Sequence, residues 1–270
     1  MKVKKVITKR QLDCIIAKYR IRCGPITIRS DGYLDVNGNV KICDTDLYKL
    51  PLKFANVYGN FLCHSNKLTT LKGCPKYVAG DFNCYNNVNL KTLKHGPEEV
   101  DGDYSCHENG LVTLKGAPRE IKGNFNAFLN QLTSLVGAPE KIGKNCYVHH
   151  NNLTSLDGPQ HIDGSFYVSA NALIDLKGCP GFIGDILSFD NDVRIDLGNE
   201  NCIVKTVVIQ MQETKVAVLE RCIPEIVISN QKYLPTVLRY AKYLNLYDIE
   251  GGFNEYNFAE ILSDIKDGLR

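Results

Sequence analysis

The chain has 270 residues, 44% of them hydrophobic, and carries a formal net charge of +2 at pH 7. This apolar content suffices for a packed core, and the small net charge excludes a global electrostatic attraction to nucleic acid or to membrane surfaces. No apolar run approaches the roughly 18 residues of a membrane-spanning helix, and no apolar segment follows the basic N-terminus as it would in a signal peptide. We therefore expect a cytoplasmic protein without a membrane partner.

The eleven cysteines are odd in number, and none of them forms a Cys-x-x-Cys pair. This argues against a zinc ribbon and against the disulfide framework of a small secreted protein. In a reducing compartment cysteine serves as a small core hydrophobe. We therefore expect no bound metal and no cofactor.

Residues 8–20 predict an amphipathic N-terminal helix. Thr8 and Gln11 form a capping-box pattern, and apolar residues recur at helical spacing after them: Leu12, Ile15, Ile16 and Tyr19. Residues 1–22 also hold eight basic residues against Asp13 alone, which gives this segment a charge of +7 and leaves about −5 for the remainder. The basic residues are Lys2, Lys4, Lys5, Lys9, Arg10, Lys18, Arg20 and Arg22. A solvated helix face explains such a segment, and contact with nucleic acid remains an alternative.

The central part of the chain repeats itself with a nearly fixed period. The repeats begin at Val36, Val57, Val78, Val100, Ile121, Ile142, Ile162 and Ile183, at spacings of 21, 21, 22, 21, 21, 20 and 21 residues. One of them reads "VYGNFLCHSNKLTTLKGCP" and another "IKGNFNAFLNQLTSLVGAP". A fixed period of 20–29 residues predicts a solenoid in which each repeat forms one rung.

Each repeat predicts a short strand, a bend and a return. Two apolar residues two positions apart point to the same side of a strand and form an inward pair: Val40/Ile42, Phe61/Cys63, Phe82/Cys84, Tyr104/Cys106, Phe125/Ala127, Cys146/Val148 and Phe166/Val168. Three residues later comes an asparagine that can bond backbone groups at the bend: Asn66, Asn87, Asn109, Asn130, Asn151 and Asn171. A Leu-x-x-Leu motif then fills the core, and Gly-x-Pro turns the chain.

These motifs resemble the leucine-rich repeat, whose short form is LxxLxLxxNxL, over residues 36–192. The first apolar residue lies four positions before the strand residue rather than three, with glycine between them at most repeats. Similar repeats are common in uncharacterised bacteriophage and bacterial proteins. The resemblance implies an α/β solenoid, a right-handed coil of short parallel strands with an N-terminal helix and a C-terminal helical cap.

The repeat has an N-terminal segment, 1–35, and a C-terminal segment, 193–270, in which the motif decays. Within the latter, "VKTVVIQM" and "PEIVISN" predict irregular strand rungs, whereas 231–247 and 255–266 show helical spacing. Solenoids need caps over their open apolar ends. We interpret 193–270 as such a cap, with an effector region as the alternative.

One position varies between repeats in a way that points to function. The residue just after the inward pair is a histidine or an aromatic residue in five consecutive repeats; the full series is Cys43, His64, Tyr85, His107, Phe128, His149 and Ser169. Tyr147 and Tyr167 lie at the next position on the same face. Because neighbouring strands lie about 4.8 Å apart, these rings should form one stripe on the face that is usually concave in such solenoids.

The stripe has three interpretations. Its rings could simply pack on one another, could contact a partner protein, or could stack on nucleobases. We expect a non-enzymatic protein that holds a partner protein on the stripe, and the likeness to phage repeats suggests a phage-encoded inhibitor of a host defence protein. The alternative is a nucleotide or nucleic-acid binder that uses the stripe and the basic helix. The predicted contact residues are His64, Tyr85, His107, Phe128, Tyr147, His149 and Tyr167.

Catalytic and metal sites have weaker support in the sequence. His64, His107 and His149 lie on alternate rungs, roughly 10 Å apart, and so should not converge on one ion. Cysteines share the inward position with alanine and valine, as core residues do, and the sequence contains no P-loop, His-Glu-x-x-His or Gly-x-Ser-x-Gly motif. The stripe histidines should gain charge between about pH 7 and 5.5.

Overall fold

The computed structural model describes residues 6–211, 223–248 and 250–268. The chain forms a β-solenoid of about eight turns whose short strands stack into one 18-stranded, mainly parallel sheet. The described helices are α1 (Lys9–Lys18), α2 (Glu225–Ser229), α3 (Leu234–Arg239) and α4 (Glu255–Lys266), together with the 3-10 helices Gln231–Tyr233 and Ala241–Tyr243. None of the described helices has both the length and the apolar character needed to cross a membrane.

The strands, in chain order, are β1 (Arg22–Cys23), β2 (Ile26–Ile28), β3 (Leu34–Val36), β4 (Val40–Lys41), β5 (Phe54–Val57), β6 (Phe61–Leu62), β7 (Tyr77–Val78), β8 (Phe82–Asn83), β9 (Glu99–Val100), β10 (Tyr104–Ser105), β11 (Glu120–Ile121), β12 (Phe125–Asn126), β13 (Lys141–Ile142), β14 (Cys146–Tyr147), β15 (His161–Ile162), β16 (Phe166–Tyr167), β17 (Phe182–Asp190) and β18 (Ile203–Gln210).

Each regular rung contributes two short strands rather than the single strand that the repeat pattern predicts. From β3 to β16 the odd-numbered strands pair with one another in parallel, and so do the even-numbered ones, as in Val57↔Val78 and Phe61↔Phe82. The repeat's first apolar residue therefore belongs to a strand of its own. The two ladders merge at β17, which pairs with both β15 and β16 and then with β18.

The N-terminal end of the sheet is closed by antiparallel strands. β1 pairs with β4 and β2 pairs with β3, so both ladders begin against a reversed strand. Helix α1 precedes them and has the predicted capping box: the Thr8 N–H donates to Gln11 Oε1 at 3.0 Å, and the Gln11 N–H donates to Thr8 Oγ1 at 3.3 Å. Leu12 is fully buried, which confirms the apolar face predicted for this helix. Lys2, Lys4 and Lys5 of the predicted basic segment lie outside the described residues.

The core runs the length of the solenoid and contains the inward pairs and the Leu-x-x-Leu residues. Phe61 and Phe82 stack with ring centroids 6.0 Å apart, and Leu132 and Leu135 are fully buried on the return side. Cys63 is fully buried in the same core, as expected for a cysteine that alternates with alanine and valine. Each rung buries its apolar residues against its neighbours and cannot do so alone.

The predicted asparagines form an inner ladder that joins successive rungs at the bend. In Asn151, Nδ2 donates to the carbonyls of Ala127 and Val148, both at 3.0 Å, and Oδ1 accepts the N–H of Leu132 at 3.1 Å. The same amide bridges rungs at Asn66, Asn87, Asn109, Asn130 and Asn171. The prediction that each asparagine bonds the neighbouring rung is confirmed. Backbone groups that would otherwise be buried without partners are satisfied by these amides.

A second ladder of polar side chains, which the sequence did not reveal, lies between the two strands of each rung. Each side-chain Oδ1 in this edge ladder accepts the backbone N–H of the equivalent residue one rung later, at 2.8–3.0 Å. Its members are Asn39, Asn60, Asp81, Asp103, Asn124 and Asn145. Gly59, which precedes Asn60, leaves room for this bond, since a Cβ on Gly59 would lie 2.6 Å from Asn39 Oδ1.

The residue before each inner-ladder asparagine adopts a left-handed conformation although none is glycine. The φ angles lie between 51° and 56° at Asp44, Ser65, Asn86, Glu108, Leu129, His150 and Ala170, where Asp44 precedes Thr45. Such a conformation is unfavourable for most side chains and persists when surrounding bonds determine it. Here the asparagine amides and the adjacent strand hold the bend.

The C-terminal segment departs from prediction in two places. "VKTVVIQM" lies in strand β18 as predicted, but "PEIVISN" forms helix α2 rather than a strand rung. Its Ile and Val residues favour strands intrinsically, yet Pro224 at the N-cap and the burial of Val227 favour a helical turn, and tertiary packing overrides propensity. The predicted helical region 231–247 is broken into two 3-10 turns around α3, whereas 255–266 is one helix.

The inner ladder can be tested by comparing two adjacent asparagines. Asn151→Ala should lower the free energy of unfolding by about 3 kcal/mol, because it removes bonds to two carbonyls and one N–H that remain buried. Asn152→Ala, at an exposed position, should change it by less than about 0.5 kcal/mol. Urea unfolding of both variants measures the difference. Equal effects would contradict the role assigned to the ladder.

The left-handed bend can be tested at Leu129, which is 46% exposed with φ 51°. Leu129→Asn should stabilise the protein by about 1 kcal/mol, because asparagine tolerates this conformation better than leucine does. Val136→Asn removes an exposed apolar side chain from a position without positive φ and serves as the control, with little expected change. A thermal unfolding comparison in which Leu129→Asn gained nothing over this control would show that the bend is unstrained.

Candidate functional site

The stripe predicted from the sequence is a continuous stack of five rings. Centroids lie 4.3 Å apart for His64–Tyr85, 4.6 Å for Tyr85–His107, 4.4 Å for His107–Phe128 and 4.8 Å for Phe128–His149. Adjacent planes are within 5–12° of parallel. We use "the stripe" for these five residues. The strands bring them together because each follows an inward residue at the same place in its rung.

The remaining predicted contact residues form a second, shorter stack beside the stripe. Tyr147 and Tyr167 lie 4.9 Å apart with ring planes 1° from parallel, and Tyr147 meets His149 edge to face at 6.5 Å. They belong to a neighbouring column of residues that pair strand to strand. This column consists of Leu62, Asn83, Ser105, Asn126, Tyr147, Tyr167 and Ser188.

The stripe and the neighbouring column together make an uncharged surface when the histidines are neutral. By contrast, several outward positions around the odd-numbered strands carry opposite charges that pair between rungs: Lys76–Glu98, Lys122–Asp101, Arg119–Glu140 and Lys141–Glu120. In a chain with 23% charged residues, two adjacent columns without a charge over the six rungs from Leu62 and His64 to Tyr167 and Ser169 are a local departure. On the preceding rung the neighbouring column begins with Lys41, which pairs with Leu62. Depletion of charge marks the cores of protein interfaces.

The stack determines which parts of the rings are accessible. Tyr85, His107 and Phe128 each have a ring on both sides at 4.8 Å or less, so that both faces are covered. Only the ring edges face outward, with their C–H, N–H and O–H groups. Ring edges carry partial positive charge and complement carbonyl oxygens.

The histidine Nδ1 atoms are directed toward the protein. Nδ1 of His64 lies 3.1 Å from Ser65 Oγ, and Nδ1 of His149 lies 2.8 Å from Nδ1 of His150. Nδ1 of His107 is buried without a hydrogen-bond partner. A buried acceptor without a partner is tolerated better than a buried donor, so that the proton of neutral His107 belongs on Nε2.

Burial lowers the pKa of the three stripe histidines. Desolvation is the main cause in each case; the nearby charges of Asp44 at His64 and Glu108 at His107 oppose it, whereas His150 adds to it at His149. Charging of the stripe therefore begins at a lower pH than the sequence alone suggests. At neutral pH the three rings are uncharged members of the stack.

Cys43 and Ser169 occupy the two ends of the same position and do not extend the stack. Cys43 is buried, and burial raises the pKa of its thiol to about 11. Burial also raises the pKa of Cys106 and Cys146 in the core, which leaves these thiols protonated and unsuited to nucleophilic attack. Cys14 is exposed, and Cys222 lies outside the described residues.

The described residues bring together no group of three or more histidine, cysteine, aspartate or glutamate side chains able to hold a metal ion. The stacked geometry accounts for the histidines, because parallel rings on alternate rungs do not converge. Asp81 and Asp103, which lie on successive rungs, accept backbone N–H groups through Oδ1 in the edge ladder.

One cleft at the C-terminal end was not predicted. It has a volume of about 620 Å³ and lies where the last rungs meet the C-terminal segment. The guanidinium of Arg194 stacks 4.2 Å from the ring centroid of Tyr247, whose hydroxyl accepts the N–H of Ile195 at 3.0 Å. Burial raises the pKa of Tyr247 to about 12. These contacts attach the C-terminal segment to the solenoid.

No protein-family model, no curated protein and no solved structure matches this chain.

The lowered histidine pKa values predict a pH-dependent stability. Below the unfolded-state pKa of about 6.5 the unfolded chain binds protons that the folded stripe resists, so the stabilising contribution is complete above that pH and is lost as pH falls through the folded-state values. The triple variant His64→Phe/His107→Phe/His149→Phe keeps the rings and removes the titration. It should lose less free energy of unfolding than the wild type between pH 7.5 and 5. Identical losses in denaturant titrations would exclude this contribution.

Proposed function

We propose that this protein is a non-enzymatic binding protein that holds a partner protein on the stripe and its neighbouring column. The observation that carries this proposal is the uncharged ring surface on a regular scaffold, several of whose other outward positions hold charges paired between rungs. Rings bury a large area with few rotatable bonds, and this makes them frequent anchors of protein interfaces.

The rigidity of the site favours binding as well. The rings are held by one another and by two hydrogen-bonded ladders, so that little side-chain entropy remains to be lost when a partner docks. The surface is also long and narrow: six rungs about 4.8 Å apart make it roughly 24 Å long, while it is only two outward residues wide. Such a shape suits a single segment of a partner better than a broad globular face.

The proposal extends to the repeat type, the cellular location and the class of target. We assign the coil to the right-handed leucine-rich-repeat type on the strength of its Asn-x-Leu-x-x-Leu rungs, and place it in the cytoplasm. The likeness of these rungs to phage repeats makes a host defence protein the proposed class of target, with the chain as its inhibitor. The C-terminal segment 193–270 would then serve as a cap.

Nucleotide or nucleic-acid binding on the stripe has less support. Base stacking needs exposed ring faces, and only the outer faces of His64 and His149, at the two ends, lack a stacked neighbour within the stripe. Of the described basic residues in the N-terminal segment, Lys9 pairs with Asp13 at 3.2 Å. This alternative predicts salt-sensitive binding that nuclease treatment abolishes.

The proposal is tested by replacing His64, Tyr85, His107, Phe128 and His149 together with Ser. The control replaces His161 and Phe182 with Ser; these two rings stack at 4.4 Å on the odd-numbered strands, away from the stripe. Capture from nuclease-treated bacterial lysate, with bound proteins identified by mass spectrometry, should yield a protein with the wild type and the control but not with the stripe variant. Circular dichroism confirms folding at the temperature used. Undiminished capture by the folded stripe variant would refute the assignment of the site.

A further inference from the structure

The histidines of the stripe recur with a regular spacing that any ligand must match. Two centroid steps of 4.3 and 4.6 Å separate His64 from His107, and steps of 4.4 and 4.8 Å separate His107 from His149. Because the planes are almost parallel, successive histidine rings lie about 9 Å apart and the outer two about 18 Å apart.

Each of these rings offers one hydrogen-bond donor at its outer edge. We assign each neutral ring the tautomer with its proton on Nε2. In this tautomer Nδ1 of His64 can accept from Ser65 Oγ at 3.1 Å, Nδ1 of His149 can accept from Nδ1 of His150 at 2.8 Å, and Nδ1 of His107 is buried without a donor that would need a partner. The nearest carboxylate to Nε2 of His107 is that of Glu108, at 3.8 Å, which is beyond hydrogen-bond distance. The stripe thus presents three N–H donors about 9 Å apart.

Among the regular backbone conformations, only one presents free acceptors at that interval. A polyproline II helix has three residues per turn and a rise of about 3.1 Å, and thus carries an unbonded carbonyl on the same side every ~9.3 Å. An extended strand repeats on one side every ~6.7 Å, which fits neither 9 nor 18 Å. An α-helix has a pitch of about 5.4 Å and uses its carbonyls internally.

We propose that the partner segment held by the stripe is a polyproline II helix, a proline-rich and uncharged stretch that crosses the rungs at three residues for every two rungs. This proposal rests on the proposed function of the stripe. Carbonyls of residues i, i+3 and i+6 accept from Nε2 of His64, His107 and His149, and they span ~18.6 Å against about 18 Å between the outer rings.

The intervening residues fit the same occupant. Tyr85 and Phe128 lie between the histidines and present ring edges. Proline rings can pack against these edges, and proline brings no backbone N–H that would need a hydrogen-bond acceptor there. In the neighbouring column, Asn83 and Asn126 add uncharged amide groups beside them. A polyproline II helix is largely pre-ordered, so that neither the peptide nor the stripe would lose much conformational entropy on binding.

The test uses an acetylated and amidated peptide of nine prolines, with a nine-residue Gly-Ser peptide as the matched control. Titration of the wild-type protein, followed by NMR of the histidine ring protons and by calorimetry, should show binding of nonaproline with shifts at His64, His107 and His149. The Gly-Ser peptide should bind at least tenfold more weakly. His64→Phe/His107→Phe/His149→Phe, which keeps the rings but removes the donors, should weaken nonaproline binding at least tenfold, whereas His161→Ser/Phe182→Ser should not.

The outcomes separate this inference from the proposed function. If nonaproline leaves the wild-type histidine signals unchanged while the five-Ser variant still loses its captured protein, the stripe binds a protein but not through a polyproline II helix. Equal affinity of nonaproline for the triple phenylalanine variant would also overturn the inference. If neither nonaproline binding nor stripe-dependent capture is seen, both proposals fail. The wild-type NMR titration decides the matter even if a variant does not fold.

Discussion

The hydrogen bonds made by the buried amides of the inner ladder are the constraint on which the rest of this molecule depends. Each amide joins carbonyls of two rungs and so forces every rung to bend at the same place. The stripe residue lies two positions before the asparagine, as His64 does before Asn66, so its direction follows from that bend. Rings 4.3–4.8 Å apart are therefore a consequence of backbone register, with the attraction between rings as a smaller addition.

The odd-numbered and the even-numbered strands present outer surfaces with different chemistry. Charged pairs such as Arg119–Glu140 lie around the odd-numbered strands, where they are exposed and contribute to solubility more than to stability. The stripe lies beyond the edge ladder, where ring stacking excludes water from the ring faces and lowers the histidine pKa. A solenoid can carry such an uncharged surface only because its charges are concentrated elsewhere. This separation makes the stripe a more specific candidate for binding than any single exposed residue.

The sequence predicted the features that repeat with a fixed residue type. The inward pairs, the asparagines and the ring positions could all be identified, because Phe61, Asn66 and His64 have counterparts of the same kind one period later. The edge ladder was missed because its members are Asn at some rungs and Asp at others, as at Asn60 and Asp81, and what they share is a hydrogen bond to the next rung. The left-handed bend was missed for a related reason: its residues share a backbone conformation but no side-chain chemistry. Helix α2 was mistaken for a strand because its β-branched residues were judged without their packing partners.

A change in rung length leaves the rings of the stripe in register. The rung with 22 residues inserts one residue after Asn87, and the ladder adapts because Oδ1 of Asn109 accepts the N–H of Asn87 itself, at 2.6 Å. Despite this insertion, Tyr85 and His107 stack at 4.6 Å, as their neighbours do. The extra residue is absorbed on the return side, beyond the bend, and does not disturb the strand that carries the stripe. The register of the stripe is thus held by the backbone and the asparagine amides of each rung, and a change of length on the return side does not displace the rings.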